Sequence, residues 1–329
     1  MKIAIVILNW NGKKLLEQFL PSVIAHSKEA IIYLADNASS DASVSFVKNT
    51  YPSVRIIQNS INGGYAQGYN DALKHIEADI FCLLNSDVEV TENWLPPIIN
   101  LFKNENNTAI IQPKLLDFNN KDCFEYAGAA GGFIDKFGYP YCRGRIFNAI
   151  EKDTGQFNDT ADIFWASGAC LFIRSTVFNE LNGLDQYFFA HMEEIDLCWR
   201  AKNLGYDVKY VGESEVLHVG GATLNDQNPK KTYLNFRNSL FAITKNAKGF
   251  LFFLIGIRLI LDGVAALKFL FELKLLHILA ILKAHLSFYA HLPRLLKQRK
   301  AIKNKKKYYQ TASIVLEFHL NRKRKFKEL

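Results

Sequence analysis

The 329-residue sequence predicts an α/β fold with a mostly parallel central sheet. Short apolar runs alternate with segments whose apolar residues recur every three or four positions, and this alternation is typical of βαβ units. The predicted strands end abruptly in polar turns, which is where open α/β sheets bind their ligands. Hydrophobic residues make up 49% of the chain, so a sizeable core can form.

Four strands and the helices between them account for the first part of the chain. The strands are predicted at residues 2–8, 30–34, 54–58 and 80–84. The helix after the first strand contains Pro21, which is expected to kink or interrupt it because proline lacks an amide hydrogen. Asp41 is expected to cap the next helix. A further helix opens in the glycine-rich turn at 62–70 and continues through Ile76.

The turn after the fourth strand contains a candidate metal ligand. Asp87 is the only carboxylate of Asn85-Ser86-Asp87, which directly follows the apolar run 80–84. A carboxylate at a strand end can hold Mg²⁺ or Mn²⁺ against a diphosphate, since hard cations take oxygen ligands. The alternative is an ordinary turn in which these three side chains bond local backbone.

The earlier turns also allow two interpretations each. Asp36 either forms a turn or hydrogen-bonds a nucleotide. Gly63 and Gly64 either permit positive φ or let the backbone approach a ligand at a helix N-terminus. No G-x-G-x-x-G follows the first strand and no G-x-x-x-x-G-K-[ST] occurs, which disfavours a dinucleotide dehydrogenase and a P-loop nucleotide hydrolase.

Cysteine usage and charge suggest a compartment and a partner. The five cysteines show no C-x-x-C spacing and most lie among apolar residues, so we expect reduced thiols in a cytosolic protein. The N-terminus is expected to enter a strand directly, without a signal-peptide pattern. Residues 246–329 contain 18 Lys+Arg against 4 Asp+Glu, whereas residues 1–245 have a net charge of −6. A basic tail of this kind predicts an anionic partner.

Four segments at the predicted strand ends resemble the motifs of family 2 glycosyltransferases, especially the rhamnosyltransferase-like branch. They are VILNWNG at 6–12, DNASSD at 36–41, NGGYAQGYN at 62–70 and LNSD at 84–87. The resemblance covers roughly residues 1–245 and implies a GT-A fold. It also implies a nucleoside-diphosphate-sugar donor, a divalent metal (Mg²⁺ or Mn²⁺) and transfer with inversion.

The resemblance assigns donor binding to nine residues. They are Asn9, Asn11, Asp36, Asn62, Gly64, Asn70, Asn85, Ser86 and Arg237. Among these, Asp36 is expected to contact the nucleotide base and Arg237 a phosphate. Asp87 matches the last Asp of the family's D-x-D-like metal motif. The first position of that motif is Asn85 here, so fewer carboxylates are available and metal affinity is expected to be modest.

The segment 163–174 resembles the family's strand beside the sugar and the acceptor. It assigns Trp165 and Gly168 to acceptor binding. The alternative is a buried strand in which glycine allows close packing. In the region before it, Arg143 and Arg145 either meet a phosphate or are solvated loop side chains.

The segment 183–200 resembles the family's E-D-x-D-L-x-x-R signature. Glu194 falls at the usual position of the catalytic Asp, Glu193 is the neighbouring candidate, and Asp196 is assigned to the acceptor. The alternative interpretation is structural: the glutamates are anions favoured at a helix start, and Asp196 with Arg200 forms a surface ion pair. The choice between Glu193 and Glu194 as the base stays open.

The segment 215–223 resembles the histidine motif that follows in the family. His218 is therefore expected to bind the metal or the diphosphate region, because neutral imidazole is a metal ligand. The alternative is a structural histidine that follows an apolar pair.

Beyond residue 245 the sequence changes character. Residues 250–261 are almost wholly apolar, but no uncharged run reaches the ~18–20 residues of a bilayer span. Five charged residues fall within about one third of a helical wheel. They are Arg258, Asp262, Lys268, Glu272 and Lys283. We therefore predict amphipathic and hydrophobic helices on an anionic membrane surface, assisted by lysine clusters at 303–307 and 322–325. The alternative is packing on the catalytic body or on a second copy.

These expectations give a domain division and a function. Residues 1–245 form the GT-A domain, with a nucleotide-binding half at 1–112 and an acceptor-binding half at 113–245, and residues 246–329 form the membrane-associating region. The predicted enzyme moves a sugar, with rhamnose a candidate, to a hydroxyl of a glycan or lipid-linked glycan in cell-surface polysaccharide synthesis. It is expected to be cytoplasmic and peripherally attached to the inner face of the cell membrane. One alternative function is a non-catalytic sugar-nucleotide-binding or assembly subunit, and a second, which is disfavoured, is a nucleic-acid-binding protein. Whether the protein forms homo-oligomers stays open.

Overall fold

The computed structural model describes residues 1–220 and 228–329, and its first part alternates strands with helices as predicted. The elements are β1 (Ile3–Asn9), α1 (Lys13–His26), β2 (Ala30–Asp36), α2 (Ser43–Thr50), β3 (Arg55–Gln58), α3 (Gly64–Leu73) and β4 (Ile80–Asn85). Helix α1 continues through Pro21, so the predicted interruption does not occur. Asp41 Oδ1 accepts the backbone N–H of Ser43 at 3.1 Å, which satisfies an amide at the start of α2.

The next part of the chain completes the main sheet and adds a small second sheet. It contains β5 (Val88–Val90), α4 (Leu95–Asn104), β6 (Thr108–Asp117), β7 (Gly132–Ile134), β8 (Pro140–Cys142), β9 (Arg145–Ile146), β10 (Ala149–Ile150), β11 (Thr160–Asp162), β12 (Cys170–Arg174), α5 (Ser175–Glu180), α6 (Glu193–Leu204) and β13 (Asp207–His218). Strands β7 to β10 pair antiparallel with one another and form the second sheet.

The main sheet has the strand order β11-β13-β6-β12-β4-β1-β2-β3, and β5 pairs with β13. Strands β1 to β4 are parallel, as are β6 and β13, while β12 runs antiparallel to both of its neighbours. The sheet is therefore mixed and mostly parallel, as predicted.

The hydrophobic core lies on both faces of this sheet. Along β1, Ile5 faces one core layer and Val6 faces the other, because successive side chains of a strand point to opposite faces. Helices α1 and α4 cover the first layer, and α3 and α6 cover the second. Burial on both faces explains why the central strands read as continuous apolar runs.

Four α-helices follow β13 within the described residues 228–329. They are α7 (Pro229–Asn246), α8 (Leu251–Phe271), α9 (Leu275–Ala301) and α10 (Ile314–His319). Helix α8 turns Arg258 and Asp262 towards the protein body, where they are 3% and 0% exposed, whereas Lys268 and Glu272, further along the predicted charged stripe, are exposed. Arg258 Nε donates to Asp262 Oδ1 at 2.7 Å, and its Nη1 donates to Ser239 Oγ at 2.6 Å. The guanidinium also lies over the ring of Tyr139 at 3.9 Å.

The opposite face of the α8–α9 hairpin is apolar and open to solvent. We call it the apolar hairpin face, and it comprises Phe252, Phe253, Ile260, Val264, Leu267, Leu270, Phe271, Leu273, Leu275, Leu276, Leu279, Leu282, Leu286 and Tyr289, each at least 46% exposed. Among the described helices, Leu275–Ala301 is the one long and apolar enough to cross a membrane by length and composition alone. Its most apolar 18-residue window has a mean hydropathy of 1.4 and is 28% buried. Exposed apolar areas of this extent mark interaction surfaces.

Two loop arginines differ from both of their sequence interpretations. Arg143 and Arg145 are buried, not solvated. Arg143 Nη2 donates to Asp159 Oδ1 at 2.5 Å, and Arg145 Nε donates to the Tyr126 carbonyl at 2.9 Å. Both therefore support the second sheet and its flanking loops.

Candidate active site

Strand register brings the predicted site residues to one edge of the sheet. Asn9 of β1 pairs with Asp36 of β2, and Asn85 of β4 pairs with Leu8 of β1. Because these strands are parallel, their carboxyl ends meet at the same edge. Three of the four sequence motifs thus contribute to one region.

Asn9 and Asp36 form the centre of the donor side. Asn9 is fully buried, and its Nδ2 lies 3.0 Å from Asp36 Oδ1 and 3.0 Å from Ser43 Oγ. Asp36 Oδ2 accepts the backbone N–H of Ser39 at 3.0 Å. Asn9 therefore orients the Asp36 carboxylate. A Cβ at Gly12 would stand 2.5 Å from Asn9 Oδ1, so this turn requires glycine.

Asn11 and Asn62 shape the loops around this pair. Asn11 Oδ1 accepts the backbone N–H of Ser40 at 2.7 Å, which ties the β1 turn to the β2 turn. Asn62 Oδ1 accepts the backbone N–H of Gly64 at 3.0 Å. Gly64 has φ +79°, and a Cβ there would stand 2.7 Å from the carbonyl oxygen of Phe189. Glycine is therefore needed where the start of α3 meets the loop before α6.

Asp87 and His218 form a close pair at the ends of β4 and β13. His218 Nε2 lies 3.2 Å from Asp87 Oδ1, and its Nδ1 lies 3.3 Å from Glu125 Oε1. All three residues are buried. Burial alone would lower the pKa of His218, but the carboxylates of Glu125 and Asp87 outweigh it and raise the pKa to about 10. Asn85 Nδ2 lies 3.5 Å from the same Nε2.

Glu125 was absent from the residues predicted for the site. It lies in the loop between β6 and β7, and no sequence motif includes it. Only the fold brings it to His218, so spacing along the chain carries no signal for it. A carboxylate on the second nitrogen of a metal-binding histidine fixes the ring orientation. The final residues of the histidine motif, 221–223, lie outside the described residues.

The donor set at this pair fits a divalent cation. Asp87 supplies an oxygen and His218 a nitrogen, a combination that suits Mn²⁺ better than Mg²⁺. Within residues 1–220 and 228–329, no group of three or more His, Cys, Asp or Glu side chains has metal-binding geometry. Two protein ligands are consistent with a cation that takes its remaining ligands from a substrate diphosphate.

Glu193 and Glu194 open α6, as the sequence predicted. Glu193 is 4% exposed, whereas Glu194 is only partly buried. Burial and the charge of Glu194 raise the pKa of Glu193 well above its usual value. Burial raises the pKa of Glu194 to about 7, although backbone N–H groups at the helix start oppose this. The Oε2 atoms of both have no hydrogen-bond partner among the described residues.

Tyr65 links the glutamates to the strand ends. Its hydroxyl donates to the Gly168 carbonyl at 2.7 Å, and its backbone N–H donates to the carbonyl of Phe189, in the loop that leads into Glu193, at 2.9 Å. A Cβ at Gly168 would stand 2.9 Å from this hydroxyl. The next carbonyl, of Ala169, accepts the backbone N–H of Asn85 at 2.9 Å. A chain of contacts therefore joins the loop before Glu193 and Glu194 to Asn85 and the Asp87–His218 pair.

Three predicted ligands instead have their polar atoms committed to the protein. The amide of Asn70 bonds the backbone of Leu184 in both directions, at 2.7 and 2.9 Å. Trp165 is buried and donates Nε1–H to the Phe133 carbonyl at 2.9 Å. Arg237 Nη2 donates to the carbonyls of Tyr187 and Phe188, each at 3.0 Å.

Asp196, predicted to bind the acceptor, is also buried. It is 0% exposed, and Arg200, Lys245 and Asn246 donate to its carboxylate at 2.8, 2.9 and 2.8 Å. Burial would raise its pKa, but Lys245 and Arg200 lower it. The ion pair with Arg200 therefore exists but is internal, not on the surface. These bonds give Asn70, Trp165, Asp196 and Arg237 structural roles around the site, and their contacts with donor or acceptor stay predictions.

Comparison with known proteins identifies the family. The profile described as Glycosyl transferase family 2 matches residues 4–181, more than half of the chain. The chain belongs to glycosyltransferase family 2. The match ends before α6, so the glutamates and all later helices lie beyond the matched residues.

Curated relatives of this glycosyltransferase are distant. The N-acetylglucosaminyl-diphospho-decaprenol L-rhamnosyltransferase of Mycobacterium tuberculosis is 25% identical over 222 residues, which span 62% of this chain and 71% of that protein. The low-salt glycan biosynthesis hexosyltransferase Agl10 of Haloferax volcanii is 22% identical over 248 residues, spanning 73% and 75%. Rhamnosyltransferase WbbL of Escherichia coli is 34% identical over 62 residues, 19% of this chain and 23% of that protein. The resemblance to the rhamnosyltransferase-like branch is confirmed.

Solved structures confirm the GT-A fold. GalNAc-T7 with UDP, GalNAc and Mn²⁺ aligns with a TM-score of 0.62 and 15% identity, over 98% of this chain and 57% of that chain. The mannosyltransferase PcManGT of Pyrobaculum calidifontis with GDP-Man and Mn²⁺ aligns with a TM-score of 0.54 and 13% identity, over 92% and 73%. At these identities the likeness concerns the fold.

Proposed function

We propose that this glycosyltransferase transfers a sugar, with inversion, from a nucleoside diphosphate to a hydroxyl of a lipid-linked glycan. The observation that carries the proposal is the arrangement at the strand ends. The Asp87–His218 pair lies at one end of a chain of contacts through Tyr65, and the partly buried Glu194 lies at the other. Such a transfer needs residues that hold a cation and a residue that acts as a general base.

The donor would lie over the ends of β1, β2 and β4. Asn9 presents the Asp36 carboxylate to the nucleotide base, and the loops shaped by Asn11 and Asn62 line the same edge. Asp87 and His218 would hold the divalent cation, and Ser86 lies beside them. When bound, such a cation neutralises the charge that develops on the leaving diphosphate.

Glu194 is the better candidate for the base. A base has to meet the acceptor hydroxyl, and Glu194 is more accessible than Glu193, which is 4% exposed. Its pKa of about 7 also lies near the pH at which a base operates most efficiently. Burial and the charge of Glu194 raise the pKa of Glu193 well above its usual value, which favours its protonated form. A protonated carboxyl cannot accept a proton from the acceptor.

The acceptor proposal rests on the apolar hairpin face together with the relatives. Arg258 and Asp262 of α8 are buried and the apolar hairpin face is exposed, so the hairpin offers hydrocarbon to a bilayer, while the lysine clusters at 303–307 and 322–325 offer charge to an anionic leaflet. A relative at 25% identity is named for a decaprenol-linked substrate. We therefore place the enzyme peripherally on the inner face of the cell membrane. Rhamnose is the candidate sugar for the same reason.

The test is a transfer assay on full-length protein with dTDP-, UDP- and GDP-sugars, Mn²⁺ or Mg²⁺, and polyprenyl-diphosphate-linked sugars. Inverted product from one donor is expected. Donor binding without transfer or hydrolysis under any of these conditions would instead favour a non-catalytic sugar-nucleotide-binding subunit, the alternative that the departures at Asn85 and Glu194 from the family pattern suggest.

A further inference from the structure

The loop before α6 has an unfavourable backbone conformation. Phe189, His191 and Met192 have φ of 65°, 68° and 73°, in the left-handed region that bulky residues rarely adopt. A backbone in this region is strained, so surrounding contacts have to hold the loop in place. Glu193 and Glu194 follow at once. Whatever holds this loop therefore sets the position of the candidate base.

Helix α7 supports one side of the loop. Asn238 Nδ2 lies 3.0 Å from the Phe188 carbonyl, 2.9 Å from that of Ala190 and 2.7 Å from that of His191. Arg237 bonds the carbonyls of Tyr187 and Phe188 as described above. These bonds fix the middle and the end of the loop.

Helix α9 supports the beginning of the loop through Asp185. Arg294 Nη1 donates to Asp185 Oδ2 at 3.2 Å, and Gln298 Nε2 donates to the same oxygen at 3.1 Å. Arg294 and Gln298 are four residues apart, so they lie on one face of α9 and are also bonded to each other at 3.1 Å. The Arg294 guanidinium stacks over the Tyr187 ring at 3.8 Å. Asp185 Oδ1 in turn accepts the backbone N–H of Tyr187 at 3.1 Å.

Lys245 connects the same carboxylate to the helix that bears the base. Its Nζ lies 2.6 Å from Asp185 Oδ2 and 2.9 Å from Asp196 Oδ2. Asp196 is on the first turn of α6, where its backbone N–H donates to the Met192 carbonyl at 2.9 Å. Burial would raise the pKa of Asp185, but Lys245 and Arg294 hold it far below the usual value, so the carboxylate keeps its charge.

We infer that Arg294 and Gln298 of α9 are positioning residues for Glu194. They fix Asp185, and through it the strained loop and the first turn of α6, in the conformation that presents the base. The inference rests on the proposed role of Glu194. Arg294 and Gln298 lie more than 100 positions beyond residue 181, where the family match ends. The same 27-residue helix carries exposed leucines in its first half, so membrane-facing and base-positioning residues share one rigid element.

The experiment compares Arg294→Met and Gln298→Leu with Lys297→Met, an exposed lysine on the same helix. The assay uses full-length protein and the donor that the transfer assay identifies. We expect the first two substitutions to lower kcat at least ~10-fold, with the donor Kd unchanged within about twofold. A looser loop admits water, so the acid limb of the kcat profile should move to lower pH, towards an ordinary carboxyl. Arg294→Lys, which keeps a charge beside Asp185, should recover part of kcat, and Lys297→Met should match wild type.

A second readout does not depend on catalysis. Amide hydrogen exchange of residues 185–192 should accelerate in Arg294→Met and stay unchanged in Lys297→Met. Wild-type kcat and pH profile in Arg294→Met and Gln298→Leu would overturn the inference, as would a lower Tm with unchanged kcat. If Arg294→Met fails to fold, Arg294→Lys and Gln298→Leu decide by the same criteria. Absence of transfer by the wild type would refute the proposed function, whereas accelerated exchange would still establish the loop contact.

Discussion

Asp87 Oδ1 lies 3.2 Å from His218 Nε2 because β5 pairs with β13 in a register that places His218 opposite Val88. Asp87 immediately precedes Val88, so one antiparallel pairing brings the carboxylate and the imidazole together. Glu125 lies on the other side of the ring. A protonated His218 offsets only one of these two carboxylates, and a bound cation would replace the proton that they stabilise on His218.

Asp87→Asn tests this pair as the cation site. The substitution keeps the shape of the side chain but removes its charge, so Mn²⁺ affinity should fall at least ~10-fold and transfer should be abolished. Donor binding measured with Mn²⁺ should weaken, and calorimetric titration of Mn²⁺ gives the affinity. Glu89→Gln, on β5 two residues away and paired with Lys121, is the matched control and should bind Mn²⁺ normally. Full activity in Asp87→Asn would remove Asp87 from the site.

Glu194→Gln and Glu193→Gln distinguish the two candidate bases. A base works only when deprotonated, so wild-type kcat should fall about tenfold per pH unit below the Glu194 pKa of about 7. Glu194→Gln, nearly isosteric, should keep donor affinity, lower kcat by roughly 10²-fold or more and abolish that acid limb. Glu193→Gln should be mild, because burial and the charge of Glu194 raise the pKa of Glu193 and so favour the protonated form, which glutamine imitates. The reverse pattern would make Glu193 the base.

The sequence predicted the strand-end residues more reliably than the direction in which side chains face. Asn9, Asp36 and Asn85 are neighbours because parallel register follows from the strand pattern. The burial of Trp165 agrees with the buried-strand alternative for the segment 163–174. The burial of Asp196 could not be predicted, since Lys245 and Asn246 come from a distant segment.

The same limit applies to α8. A helical wheel locates its charged residues but does not show which of them face water. Here Arg258 and Asp262 are buried and paired with each other, whereas Lys268 and Glu272 are exposed.

Leu276→Glu/Leu286→Glu tests the apolar hairpin face. Each leucine that enters hydrocarbon contributes about 1.5–3 kcal/mol, so losing two should weaken binding to anionic vesicles at least tenfold. Vesicle co-sedimentation at low salt measures this, and added salt should weaken the electrostatic part. Leu204→Glu, 54% exposed on α6, is the control and should bind as wild type. If the wild type ignores vesicles and sediments as a dimer that the double substitution dissociates, the face is an interface between copies.

Asp262→Leu tests the ion pair that holds α8 on the body. The substitution leaves Arg258 charged and buried without its main partner, which should cost about 3–5 kcal/mol of unfolding free energy, measured by urea denaturation. Arg258→Met/Asp262→Leu should recover most of that loss, because an apolar pair needs no charge compensation. Glu272→Ala, which breaks an exposed pair with Lys268 on the same helix, should leave unfolding unchanged. Equal effects of Asp262→Leu and Glu272→Ala would mean that α8 is not held by this pair and that its inward orientation comes from apolar contacts alone.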